Sequence, residues 1–326
     1  MSARTGPHPL RVRARYTGRR ALDRIDNETV RRARGLLRRL RSDAPDVIYL
    51  GDSALSIVGS NDSDRRRLDA MVADLLGDGV SVKGVDGASY HAELFDALLR
   101  LVEATPHRPL LLVPLCVRVR TPQLTEHPIY AHKQAVEFLR RVDLSGGAWR
   151  VHAAWPRPSG SDFDAYYRVP HPTLLGNWTV GDYLASMSES QRAGDEDARI
   201  KTLYAFFHGG LLEPGSPELE SVTRMGSTIR ALGCQAVVYQ TPVPVETGVA
   251  SLGQALADRT AANFAMLNAA YRLGAGEDAE IVESGTCFSA SEFIDPTDAT
   301  EHLNDIGRLR LAEMVVASIK RRRASG

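Results

Sequence analysis

The run Asp46-Val47-Ile48-Tyr49-Leu50, stopped by Gly51, constrains the fold more than any other segment of this 326-residue chain. Four successive apolar side chains leave no polar face, so a strand built from them must be covered on both sides, as the strands of a parallel sheet are. Further strand-like segments stand at residues 80–85, 110–114, 235–240 and 279–283, and helix-period stretches separate them, among them 92–103 and a last one over 309–320. Strands alternating with helices predict an α/β protein with a parallel, doubly wound sheet. Upstream, residues 19–41 carry an imperfect helical stripe of Leu22, Ile25, Val30, Leu36, Leu37 and Leu40 among arginines, ended by Pro45, which disfavours helix at the residue before it.

The interval 118–225 is too long to be a loop within a domain and is expected to carry structure of its own. Its pattern is helical over 130–142 and 195–212, and irregular over 149–183, where Trp, Tyr, Pro and Gly collect. The expected organisation is a basic N-terminal arm and helix over 1–42, then an α/β domain over 43–326 in which 118–225 forms a cap, either as a pocket wall or as extra packing.

Hydrophobic residues at 43% and charged residues at 25% are ordinary for a soluble globular chain. No run approaches the roughly 18 to 20 apolar residues of a membrane span, and the N-terminus lacks the apolar core of a signal peptide, so no membrane partner and a cytoplasmic address are expected. Cys116, Cys234 and Cys287 have no CxxC spacing, which argues against a disulfide framework and a structural zinc site. His127 and His132 are five apart and do not share a helix face, so no metal pair is expected. Neither a Walker loop nor a GxGxxG follows a strand, so no nucleotide cofactor is expected. The formal charge of zero hides an asymmetry: residues 1–42 hold thirteen Arg against Asp23, Asp26 and Glu28. A surplus of ten positive charges there reads either as a solvated helix face or as a site for an anionic partner.

Ser53 stands two residues past the first strand, at the carboxyl edge where parallel sheets open into a ligand crevice. With Gly51 allowing a tight turn, Ser53 is placed as a nucleophile whose own N–H faces a developing oxyanion; the competing role for Asp52 or Ser53 is a helix N-cap. A hydroxyl nucleophile needs a base, and His302, in the loop before the terminal helix, falls on the same edge with Asp295, Asp298 and Glu301 around it. The competing role for His302 is a capping histidine among solvent-facing acids. Asp52 beyond the first strand, Arg118 and Arg120 beyond the third, and Glu246 beyond the fourth are the candidates for substrate contacts.

Gly51-Asp52-Ser53 near the N-terminus, together with Glu301-His302-Leu303-Asn304 before the last helix, resembles the SGNH hydrolases, also called GDSL esterases and lipases. The resemblance runs along residues 46–320 and implies a flavodoxin-like three-layer α/β/α sandwich with about five parallel strands, here with a largely helical insertion that has no general counterpart in the family. It implies Ser53 as nucleophile, His302 as base, and Gly87 as a second oxyanion donor, with Gly84 the competing choice. The family's oxyanion asparagine is missing, and Cys116 stands near its place. A thiol is a poor donor, so Arg118 or Arg120 is expected to compensate. The family commonly has Asp three residues before His; that position is Ala299, and Asp298 is the expected acid. The implied function is a cofactor-free serine acyl hydrolase on a small metabolite or sugar-type ester. An alternative is an acyltransferase that takes an acyl or aminoacyl group from an anionic carrier, a carrier protein or a charged tRNA, bound at 1–42. A third is a non-catalytic binding protein on the same frame, which the Cys116 departure favours.

Overall fold

The computed structural model describes residues 19–144 and 158–324. Strand β1 (Val47–Gly51) is buried along its whole length. Val47 and Tyr49 face one apolar core and Ile48 and Leu50 face the other, the two-residue alternation of a strand covered on both sides. With β2 (Val82–Asp86), β3 (Leu110–Leu115), β6 (Ala236–Gln240) and β7 (Glu280–Val282) it forms a five-stranded sheet in the order β2-β1-β3-β6-β7, every pair parallel. The predicted strands lie at these places, and helices cover both faces as a three-layer α/β/α sandwich.

One face is packed by α1 (Arg19–Ser42), α4 (Ala92–Glu103), α6 (Lys133–Arg141), α10 (Pro217–Ala231) and α12 (Gln254–Ala275), the other by α3 (Leu68–Leu76) and α13 (Asp305–Ala324). Two corrections to the expected boundaries follow. Val30, Ala33, Leu36, Leu37 and Leu40 of α1 are all buried in the first core, so this part of the helix belongs to the sandwich and is no separate arm. Arg31, Arg34, Arg38, Arg39 and Arg41 stay outside because the apolar residues recur at helical spacing. Arg32 reaches back to Glu28 and to the backbone carbonyl and carboxylate of Asp86 at the end of β2, and Tyr90 donates to Thr29 at 3.1 Å. The side chains of Leu22 and Ile25 and all of residues 1–18 lie outside the described residues. At the other boundary, residue 225 falls within α10, which packs against α4 and α12, so the insertion ends before Pro217.

The insertion contains α7 (Gly160–Tyr166), a hairpin of β4 (Pro170–Thr173) and β5 (Gly176–Thr179), α8 (Val180–Ala193) and α9 (Glu196–His208). The stretch expected to be irregular therefore holds a helix and a hairpin, and its part over 149–157 lies outside the described residues. Tyr183 stacks on Phe206 with ring centroids 3.9 Å apart, and His171 Nε2 lies 2.7 Å from the Phe206 carbonyl, which joins hairpin and helices into one unit. Among the described residues no helix is long and apolar enough to cross a membrane.

β1 and β3 pair only from Val47–Leu110 to Tyr49–Leu112, then part. Leu110 N–H points toward β1 and Leu111 N–H toward β6, so alternation places the missing N–H of Pro114 on the β1 side, where the ladder has already ended. Proline is tolerated in this central strand for that reason, and the gap it faces is the point where strand order reverses. Since α1 shares the main core, Leu36→Ala should destabilise the whole domain by about 2 to 5 kcal/mol in a single unfolding transition. A urea titration followed by circular dichroism checks this; a separate early transition of α1 would contradict it.

Candidate active site

Gly51 ends β1 under the side chain of Leu55: a Cβ there would sit 2.7 Å from Leu55 Cδ2, so the chain can turn this tightly only at glycine. Asp52 is buried, and its Oδ1 accepts the Ala54 N–H at 2.8 Å, capping the short helix α2 (Ser53–Ser56). The capping role weighed for this peptide thus falls to Asp52, which leaves the Ser53 hydroxyl available. Ser53 Oγ lies 3.2 Å from His302 Nε2, across 249 residues of chain. With the ring protonated at Nδ1, the hydroxyl donates to Nε2.

His302 is held by its backbone. Its carbonyl accepts the Ile294 N–H at 2.9 Å, Asn304 N–H donates to Glu292 O at 3.0 Å, and Asn304 Oδ1 accepts the Gly307 N–H at 3.1 Å at the start of α13. Four residues further on, Arg308 is fully buried and reaches into the loop after α2: Nη1 meets Asp62 Oδ2 at 2.6 Å, Nη2 donates to Asp64 O at 2.6 Å, and Nε donates to Arg66 O at 3.2 Å. Burial, with Arg118 nearby, depresses the His302 pKa to about 4, so the ring is neutral at neutral pH.

The expected acid is not beside it. Asp298 is half exposed and pairs with Arg199 Nη1 of α9 at 2.9 Å, while Ala299 takes a left-handed turn (φ 52°) that redirects the chain between Asp298 and His302. Asp295 accepts from Thr297 N at 2.9 Å and Oγ1 at 2.6 Å. Glu301 is buried on another side, with Oε2 2.5 Å from Arg118 Nη2 and Oε1 accepting from Cys116 Sγ at 3.6 Å. Among the described residues, the ring's hydrogen bond is to Ser53 alone.

A cleft of about 260 Å³ opens over the pair, lined by Ser53, His302, Ser89, Arg118, Gln123 and Phe207, with Asp52 at its base. The Arg118 guanidinium sits 5.4 Å from the centre of the Phe207 ring, and its Nε is buried without a hydrogen bond. Asp52 and Glu301 are both pushed up by burial, which Arg118 opposes in each. The other expected residues are placed less directly. Gly87 follows β2 with its α-carbon packed on Tyr90, while the adjoining Ala88 and Ser89 line the cleft. Gly84 lies within β2 against Asp69. Cys116 is buried beneath the cleft with its thiol turned to Glu301. Arg120 is drawn to Leu211 O and Glu213, and Glu246 accepts the Ala290 N–H at 2.9 Å, so neither lines the cleft. Gln123, at the start of α5 (Pro122–Thr125), also lines the cleft and was not foreseen; the only signal in sequence is an amide shortly after the third strand. Among the described residues no cluster of His, Cys, Asp and Glu suited to a metal ion occurs.

Removing the Arg308 guanidinium strands Asp62 in the interior. Arg308→Ala should therefore cost about 3 to 5 kcal/mol of stability, against a smaller loss for Arg308→Lys, in chemical denaturation. Equal stability of Arg308→Ala and the parent would show that the buried pair does not hold these loops. Compared with models of known protein families and with curated protein sequences, the chain matches none.

Proposed function

We propose that the chain is a serine-dependent acyl hydrolase of the SGNH kind, acting on a small ester. The observation that carries this reading is the 3.2 Å contact between Ser53 Oγ and His302 Nε2 in a cleft at the carboxyl edge of the sheet. In the proposed reaction Ser53 attacks the acyl carbon while its proton passes to His302 Nε2. The alcohol leaves with that proton, and water, deprotonated by the same nitrogen, releases the acyl group. The Ser53 N–H, the Gln123 amide and the Arg118 guanidinium are the donors proposed for the oxyanion. A cleft of about 260 Å³ suits a small acyl group or a sugar-type ester better than a long chain.

A second reading is favoured by the missing acid. A histidine with depressed basicity and no carboxylate behind it is a weak general base, which suits an acyl donor that is already activated, such as a thioester or an aminoacyl ester, passed to a hydroxyl or amine acceptor. An anionic carrier at the Arg-rich N-terminus, a carrier protein or a charged tRNA, would supply such a donor. Deleting residues 1–18, which leaves α1 whole, should then weaken carrier binding and flatten its salt dependence. Unchanged affinity at low salt, measured by titration calorimetry, would remove the carrier from this reading.

A fluorophosphonate probe should label Ser53, and Ser53→Ala and His302→Ala should lose at least about 100-fold in labelling rate. Asp298→Asn should stay within about twofold of the parent, because Asp298 pairs with Arg199 and not with His302. Labelling requires the neutral ring, so the rate should hold from pH 8 down to about 5 and fall only near pH 4, below the 6.5 of an unperturbed histidine. An acid limb near pH 6.5 would mean that His302 is solvated when it reacts. A folded protein that resists the probe altogether would leave the binding-protein reading.

A further inference from the structure

Helix α9 of the insertion is fastened to the loop that carries His302. The Tyr204 hydroxyl lies 2.6 Å from Pro296 O and 2.9 Å from Pro244 O, sharing its proton between the loops that follow β7 and β6. His208 Nε2 lies 2.9 Å from Ala299 O. On the solvent side, Arg199 holds Asp298 at 2.9 Å and Thr297 Oγ1 at 3.1 Å. The held segment includes Ala299, fully buried in a left-handed conformation that a residue with a β-carbon keeps only when its surroundings enforce it. Three residues later comes His302, whose ring meets no carboxylate among the described residues.

We propose that Tyr204 and His208 are positioning residues for His302, and that the inserted helix fixes the ring in the place of the acid of a triad. The proposal rests on the reading of His302 as the base. Four observations converge on it. Each acid near His302 is engaged elsewhere, so orientation must come from the backbone and from what holds the backbone. Tyr204 and His208 are both buried and their rings lie 5.8 Å apart, so the two fastenings act as one rigid contact. His208 faces Arg118 and the Ala299 carbonyl and is kept neutral by burial, with its pKa lowered to about 3, so its donor geometry does not change across the working pH range. The same helical turn reaches the cleft, because Phe207, between the two, forms a cleft wall against Arg118. A substrate that presses on Phe207 therefore presses on the element that sets the base.

The test uses the full chain and three variants, Tyr204→Phe, His208→Leu and His208→Gln, with folding checked by thermal melting. The His302 titration midpoint is read by NMR, its resonance assigned by its loss in His302→Asn, and Ser53 labelling by the fluorophosphonate probe is timed in parallel. The midpoint should lie near 4 in the parent. In Tyr204→Phe and His208→Leu it should rise by about one unit or more as the ring gains solvent, and labelling should slow roughly 10- to 100-fold. His208→Gln, which keeps an N–H for the Ala299 carbonyl, should recover most of both. Tyr204→Phe preserves the ring packing and carries the test alone if His208→Leu does not fold. A folded Tyr204→Phe with the parent's midpoint and labelling rate overturns the proposal, as does His208→Gln behaving like His208→Leu. Failure of the parent to label would strike the reading of Ser53, while the NMR midpoints still decide whether α9 holds His302.

Discussion

A guanidinium with no exposure to solvent ties together the two ends of the site. Arg308 stands four residues after Asn304, where α13 begins, and its donors end on Asp62, Asp64 O, Arg66 O and Leu303 O, in the loop that follows Ser53 and in the peptide that follows His302. A buried cation is costly unless each donor finds an acceptor, so this arrangement tolerates few alternative placements of either loop. Asp305 adds to the tie by accepting from Ser63 N at 2.9 Å and Asp64 N at 3.2 Å. Glycine at 307 is required by the closeness of the packing, since a Cβ there would come within 2.3 Å of Glu292 O. Two side chains 249 residues apart thereby meet at 3.2 Å.

The cleft itself comes from the sheet. β1 leaves β3 after Tyr49, Gly51 lets the chain turn under Leu55, and Pro114 has no donor to waste on the gap. Chain reversal at this point puts Ser53 on one wall and Arg118 on the other. The insertion packs on Ala299 and Leu256 through Leu203 and Tyr204, and its Phe207 lines the cleft.

The sheet was legible because its three central strands, β1, β3 and β6, are short, wholly buried and largely apolar runs, and the edge strands β2 and β7 follow them in the same alternation with helices. Ser53 and His302 were legible from their place at strand and helix boundaries and from the resemblance of their peptides to a known family. The hairpin Pro170–Thr179 was not legible: its strands read Pro-His-Pro-Thr and Gly-Asn-Trp-Thr, largely polar and partly exposed, with prolines that usually argue against a strand and are admitted here only because both strands are edges. The turn at Ala299 was hidden for a different reason. Left-handed residues are usually glycine or asparagine, and an alanine gives no notice of one, so counting residues from Asp298 to His302 misjudged where the carboxylate would point. The role of α1 was obscured by its thirteen-arginine neighbourhood, although Val30, Leu36, Leu37 and Leu40 already marked the buried face.

On the proposed reading, Arg118 acts in opposite directions on the two ends of the proton transfer. It lies close enough to His302 to lower its pKa, which disfavours the imidazolium that forms when Ser53 gives up its proton. It also lines the cleft where negative charge would develop on the acyl oxygen, and there the same charge is favourable. Glu301, 2.5 Å from one of its nitrogens, offsets part of that positive charge. The balance shifts effort from the base to the electrophile. Such a site gains most with a substrate whose leaving group needs little help from a proton, because only the attack, which starts from the neutral ring, then depends on proton transfer with His302. An activated ester meets that condition and an amide does not, so the geometry that removed the carboxylate from the histidine also narrows the acyl donors that the cleft can use.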